Sequence, residues 1–95
     1  MARIIYSRAA LSGLDKLTDF LLEDDAVAAA ETIDLIEEAV SVLNRHPFIG
    51  RPIDADLSEL VISRGKTGYV ALYSYEPDHD VALILAIRHQ REAGY

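Results

Sequence analysis

The sequence predicts an α+β fold, a small antiparallel sheet packed against an αα-hairpin in the order β-α-α-β-β-β. Two stretches between Ser7 and Asn44 carry apolar residues at helical spacing, and three short β-rich runs follow them, separated by turn residues. The third observation is size. Ninety-five residues, 51% of them hydrophobic, make a single domain over 1–95. A chain of this length buries roughly 60–65% of its unfolded surface, enough for one core without staples.

The short β-branched run Arg3 to Tyr6 is the expected first strand, and Ser7 is a good N-cap for the helix after it. Leu11, Leu14, Leu17 and Leu21 form the apolar stripe of that helix. Phe20 widens the stripe, and Asp15, Lys16 and Asp19 point away. Gly13 lies inside the pattern, where it costs about 1 kcal/mol relative to Ala. Glu23-Asp24-Asp25 interrupts the stripe, and Asp24 or Asp25 can cap a second helix running to about Asn44. Ala29, Ile33, Ile36, Val40 and Leu43 make one continuous seam along it. The short connection between the helices favours an antiparallel pair.

Pro47 stops the second helix, and Gly50 and Pro52 shape an irregular turn after it. Ile53 to Ser58 is expected as loop and Glu59 to Arg64 as a strand. Gly65-Lys66-Thr67-Gly68 is a tight connection into a Tyr-rich strand that begins at Gly68. That strand has a period of two, with Val70 and Leu72 on one face and Tyr69, Ala71, Tyr73 and Tyr75 on the other. Glu76 to Asp80 holds Pro77 and two Asp, which is hairpin chemistry. Val81 to Ile87 is apolar throughout, as in a strand buried on both faces, and it runs into Arg88-His89-Gln90-Arg91. The expected core joins Val70, Leu72, Leu83, Leu85 and Ile87 to Leu14, Leu17, Leu21, Ile33, Ile36 and Val40. The Tyr69, Tyr73 and Tyr75 face is then left exposed to receive a partner.

Charge is unevenly spread along a chain of net −7. Acids dominate from Asp15 to Glu38, against the single Lys16. Arg45, Arg51, Arg64, Lys66, Arg88, Arg91 and the histidines lie in the second half, where an anionic partner would have to bind. With no cysteine there are no disulfides or thiolate ligands, and a reducing cytoplasm is the expected compartment. No apolar run approaches the roughly 18 residues of a membrane span, so no membrane partner is expected. The N-terminus lacks the pattern of a signal peptide.

Few motifs carry chemistry. Gly65-Lys66-Thr67-Gly68 lacks the upstream glycine and the following helix of a phosphate-binding loop. His46, His79 and His89 have no metal-ligand spacing, so neither metal nor cofactor is expected. No serine sits in a nucleophile elbow. The remaining candidates are Arg64, Lys66, Arg88, His89 and Arg91 with Tyr95. They fall at strand ends that can converge on one rim, where guanidiniums bind phosphate or an acidic protein segment.

Over nearly its whole length the chain resembles the RelE/ParE superfamily of bacterial type II toxin–antitoxin toxins, often labelled plasmid stabilisation proteins. The resemblance rests on the element order, on His46-Pro47 with Gly50-Arg51-Pro52, on Gly68-Tyr69-Val70 with Tyr73, and on Ile84 to Arg91. It implies a cognate antitoxin whose segment wraps the toxin, docking on Tyr69, Tyr73 and Tyr75 and reaching Arg64, Arg88, His89 and Arg91. RelE-like members cleave mRNA on the ribosome, whereas ParE-like members poison DNA gyrase without nuclease activity. In the first case Arg64, Lys66, Arg88, His89, Arg91 and Tyr95 are the catalytic candidates. The place of the RelE-type catalytic arginine falls near Gln90, however, and Tyr95 is displaced by about a residue. His89-Gln90 is similar to ParE-type endings, and a −7 chain is a poor general RNA binder. The resemblance therefore favours a ParE-like gyrase inhibitor. The alternatives are a RelE-like ribonuclease and a non-toxic homologue that only binds antitoxin.

Overall fold

The computed structural model describes residues 1–64 and 67–89. Strand β1 (Arg3–Tyr6) leads into helix α1 (Arg8–Leu22) and helix α2 (Ala26–Ser41), which tightens into a 3₁₀ turn over Val42–Asn44. Strands β2 (Arg51–Pro52), β3 (Ser58–Arg64), β4 (Thr67–Glu76) and β5 (Val81–His89) follow. They form one five-stranded sheet in the order β1-β5-β4-β3-β2.

Both helix starts are capped by side chains. The Ser7 hydroxyl accepts from the Ala10 amide at 3.0 Å and donates to the Leu85 carbonyl at 3.2 Å, so one side chain fixes α1 and ties it to β5. The Asp25 carboxylate accepts from the Val27 and Ala28 amides. The first residues are also held. The Ala2 amide donates to the Asn44 carbonyl, the Asn44 side-chain amide donates to the Ala2 carbonyl, and the N-terminal ammonium lies 3.5 Å from Asp80.

β3, β4 and β5 form the expected antiparallel meander, and two further strands join it. β1 pairs parallel with β5, Arg3 opposite Val81 and Tyr6 opposite Ile84. Its direction is fixed by Ser7, which must start α1 beside Leu85, and an antiparallel β1 would start the helix at the other end of the sheet. The chain then crosses one face as the αα-hairpin and rejoins at the far edge. There Arg51-Pro52, expected as irregular turn, forms a two-residue edge strand on β3. Proline suits an edge because it has no amide to offer a further strand. Arg51 reaches back to the carboxylate of Glu59, which is buried at 1% exposure.

The assignment of sheet faces is the main correction. Tyr69, Ala71 and Tyr73 lie in the core under the helices, with Ile62 of β3 and Ala82, Ile84 and Ile87 of β5. Ala10, Ile36, Val40 and Leu43 close it from the helix side, and Leu14, Leu17 and Tyr75 pack at its margin. Val70 is buried, but in the ladder it belongs to the other face with Leu72, which is half-buried like Leu83 and Leu85. The exposed aromatic surface expected at Tyr69, Tyr73 and Tyr75 is therefore absent. Two facts hidden from a period-two reading explain this. The β4–β5 register slips between Leu72 and Tyr73, so Ala86 lies opposite Leu72 while Ile84 lies opposite Tyr73. The phase of β5 changes at Leu85, which lets Ile84 and Ile87 face the same core. Tyrosine can also be buried when its hydroxyl is satisfied. That of Tyr73 donates to the Pro47 carbonyl at 2.8 Å and accepts from the Gly50 amide at 2.9 Å. In the helices, Leu11 and Phe20 leave the predicted stripe for solvent, and Thr32 joins the α2 seam by donating to the Ala28 carbonyl.

These placements set an order of stability effects. Ile84→Ala is expected to cost about 2–5 kcal/mol in urea denaturation, and Leu85→Ala clearly less, because Ile84 alone of the two is fully buried. Tyr73→Phe removes two hydrogen bonds at a buried site and should cost roughly 1–3 kcal/mol with the sheet intact. Equal losses for Ile84→Ala and Leu85→Ala would show that the phase of β5 is misplaced.

Candidate functional site

Helix α1 approaches β5 closely because Gly13 has no side chain. A Cβ there would stand 3.0 Å from the Ile87 carbonyl oxygen. The glycine that weakens the helix pattern is thus the residue that seats the helix on the strand. Beyond this contact α1 and the end of β5 diverge and leave a groove of about 260 Å³. Gly13, Lys16, Leu17 and Phe20 line one side, Ile87, Arg88 and His89 the other. The helical residues fall at i, i+3, i+4 and i+7, which places them on one face of α1.

The floor is apolar, with Leu17 and Ile87 continuous with the core. Phe20 stands on the wall at 69% exposure. Lys16 and the His89 imidazole stand around it, while Arg88 lines the strand edge with its exposed side chain on the other face of the sheet, opposite Val70. His89 lies opposite Tyr69 in the ladder, and their rings meet edge to face at 5.5 Å between centroids. The aromatic contact fixes the imidazole at the mouth of the groove. An apolar floor rimmed by cations is suited to a segment carrying both carboxylates and an aliphatic or aromatic side chain.

The sequence-predicted candidates divide into three groups. His89 is in the groove and Arg88 lies at its strand edge. Arg64 ends β3, its backbone opposite Thr67, while Arg88 lies opposite Val70, so both strands deliver an arginine to the same end of the sheet. Lys66, Arg91 and Tyr95 lie outside the described residues, as does Gln90. Tyr69 touches the site through His89, but Tyr73 is a core residue bonded to the 47–50 turn. Tyr75 is at the opposite end of the sheet, donating to Asp80 at 2.6 Å and stacked edge-on with Phe48. The hydrogen bond to Asp80 holds the Tyr75 phenol above its ordinary pKa, with some help from burial.

Lys16 and Phe20 were missed by sequence reasoning as site residues. Their signal was available, since Lys16 is the lone cation in an acidic stretch and shares a helix face with Gly13 and Phe20. Among the described residues, no group of three or more His, Asp or Glu side chains is placed to hold a metal ion, and no helix is long and apolar enough to cross a membrane.

Comparison with known proteins agrees with this architecture. Residues 4–94 match the family model for the ParE toxin of the type II toxin–antitoxin system parDE. Toxin RelE3 of Caulobacter vibrioides is 38% identical over 79 residues, covering 83% of this chain and 84% of that protein. Among solved structures, the chromosomal ParDE system from P. aeruginosa superposes with a TM-score of 0.76 at 22% identity, over 94% of this chain and 96% of the other. The RelBE2 toxin–antitoxin complex from Mycobacterium tuberculosis superposes with a TM-score of 0.61 at 25% identity, over 94% and 98%. The chain belongs to the ParE toxin family of type II toxin–antitoxin systems, within the ParE/RelE superfamily.

Proposed function

We propose that this toxin acts in the cytoplasm by binding DNA gyrase, and that its cognate antitoxin blocks it at the same end of the sheet. The observation that supports this reading is the groove between α1 and β5. Its apolar floor of Leu17 and Ile87, with Phe20 on the wall, fits side chains of a protein partner. Leu17 and Ile87 offer a nucleic-acid strand neither charge nor a stacking face, so this floor favours a protein side chain. Lys16 adds charge at the rim and Arg88 adds it just across the strand edge, where it steers an acidic segment and sets register. The expected docking surface therefore moves from Tyr73 and Tyr75 to this groove, and Tyr69 contributes by holding His89.

The second reading, a ribosome-dependent mRNA endoribonuclease, draws on the shared sheet end of Arg64 and Arg88. In that case Arg64, Lys66, Arg88 or Arg91 stabilises a pentacoordinate phosphate, and His89 or Tyr95 takes the proton of the ribose 2′-hydroxyl.

Expression of variants in cells separates the two. Lys16→Glu and Arg88→Glu are each expected to weaken gyrase inhibition about tenfold, equivalent to roughly 1.4 kcal/mol of binding, with RNA intact throughout. The parent should induce the SOS response and filamentation, and deletion of Tyr95 should leave it toxic. Codon-specific cleavage of ribosome-bound mRNA that vanishes without Tyr95 would overturn the gyrase reading and establish the nuclease. A chain that binds its antitoxin but neither arrests growth nor inhibits gyrase would be the non-toxic homologue. A Gly13→Val variant offers a structural control: its branched side chain meets the Ile87 carbonyl, so α1 must lift and the groove must change shape. Antitoxin affinity should fall with it, as measured by calorimetry on purified proteins.

A further inference from the structure

A second surface lies at the other end of the sheet from the groove, on the turn between α2 and β2. Phe48 and Ile49 project into solvent there at 78% and 56% exposure. Exposed loops that carry large apolar side chains are usually mobile, but this one is fastened from below. Tyr73, itself buried at the sheet centre, accepts from the Gly50 amide and donates to the Pro47 carbonyl. Gly50 packs so closely that a Cβ would stand 2.5 Å from the Tyr73 ring and 2.8 Å from the Glu59 carbonyl oxygen. The Ile49 amide is bonded to the His46 carbonyl, and the Phe48 ring rests edge-on against Tyr75 at 5.1 Å. The backbone of the turn and the Phe48 ring are therefore held in place with both apolar side chains facing water, so a partner would lose little entropy in ordering the turn.

The charge beside them is opposite to that of the chain as a whole. Arg45 and His46 are both exposed and line a shallow depression of about 440 Å³ with Pro47, Phe48 and Ile49. The acids on this rim are largely engaged. Asp80 binds the Tyr75 hydroxyl and the N-terminal ammonium, and Glu76 binds His79. The acidic helix surface between Asp15 and Glu38 belongs to other elements.

We infer that the Arg45–Ile49 turn is a second protein-docking surface, taking an acidic segment of a partner that sets an aliphatic side chain against Phe48 and Ile49. A protein is favoured over nucleic acid because Ile49 offers no stacking face and a −7 chain repels a polyanion outside such a small patch. Tyr69 and Tyr75 mark the two ends of the sheet, about 20 Å apart along β4 at roughly 3.3 Å per residue. Two ligands can therefore occupy the groove and the turn together, or one extended segment can span both. The inference stands on geometry and charge, and it does not depend on whether gyrase or mRNA is the target.

The test is chemical-shift mapping of the full chain with a short synthetic peptide of Asp, Glu and Leu. Amide shifts should cluster at residues 45–50, and the affinity should fall with added salt. The double variant Phe48→Ser/Ile49→Ser and, separately, Arg45→Glu should each weaken binding by about tenfold or more. Leu11→Ser, which removes an exposed apolar side chain elsewhere, should leave binding unchanged. All of these positions are exposed, so the variants should melt with the parent and the comparison remain one of binding. Shifts confined to Lys16, Phe20 and His89, equal binding of a Lys-for-acid peptide, or binding of single-stranded RNA at 45–50 in place of the peptide would each overturn the inference.

Discussion

The one-residue slip in the pairing of β4 with β5 decides which side of this molecule is which. Before the slip Ala82 and Ile84 point toward the helices, and after it Ile87 and His89 do so. A regular ladder would instead have carried Ala86 and Arg88 to that side, forcing a guanidinium against Leu17 and leaving Ile87 in water. An uncompensated buried charge costs several kcal/mol, far more than a bulge. The slip also leaves the Leu85 carbonyl available to the Ser7 hydroxyl, which starts α1. The seat of the helix, the core under it and the identity of the side chains at the groove thus follow from one irregularity.

Helix packing and the sheet end act together at the groove. Gly13 lets α1 descend onto Ile87, and Phe20 and Lys16 beyond it line the groove with His89. At the other end Tyr73 does a similar service for the Arg45–Ile49 turn. Both sites are irregular or exposed features braced by a residue in the regular core. Binding surfaces commonly sit on such connections, positioned by a rigid scaffold.

Much of this was legible in the sequence. The cap at Ser7, a cap at Asp24 or Asp25, the α2 seam and the hairpin turn before Val81 all follow from local chemistry. Local patterns failed where a tertiary partner decided the matter. Nothing near Tyr73 in sequence announces that its hydroxyl will bind Pro47 and Gly50, so its face looked like the solvent side. An apolar run such as Val81–Ile87 is uniform, so a change of phase within it leaves no trace in hydropathy. The parallel partner of β1 was equally invisible, because pairing direction depends on the path of the helices between the strands. Lys16 escaped as a site residue since a lone cation on an acidic helix gains meaning only when β5 is set beside it.

The placement of β5 between β1 and β4 also has a consequence for synthesis on the ribosome. Ser7 and its partner Leu85 are separated by 78 residues, and among the described residues β1 pairs with β5 alone. Contacts of such separation close late, because the loop entropy is spent before the contact forms. The helices and the β3–β4 hairpin can gather as the chain emerges. The core stays open until the last of these strands slides in beside them. One wall of the α1 groove is β5 itself, so the groove does not exist on a nascent chain. The binding surface proposed at this groove is therefore withheld until β5 has joined the sheet, and a chain interrupted before Val81 would lack it.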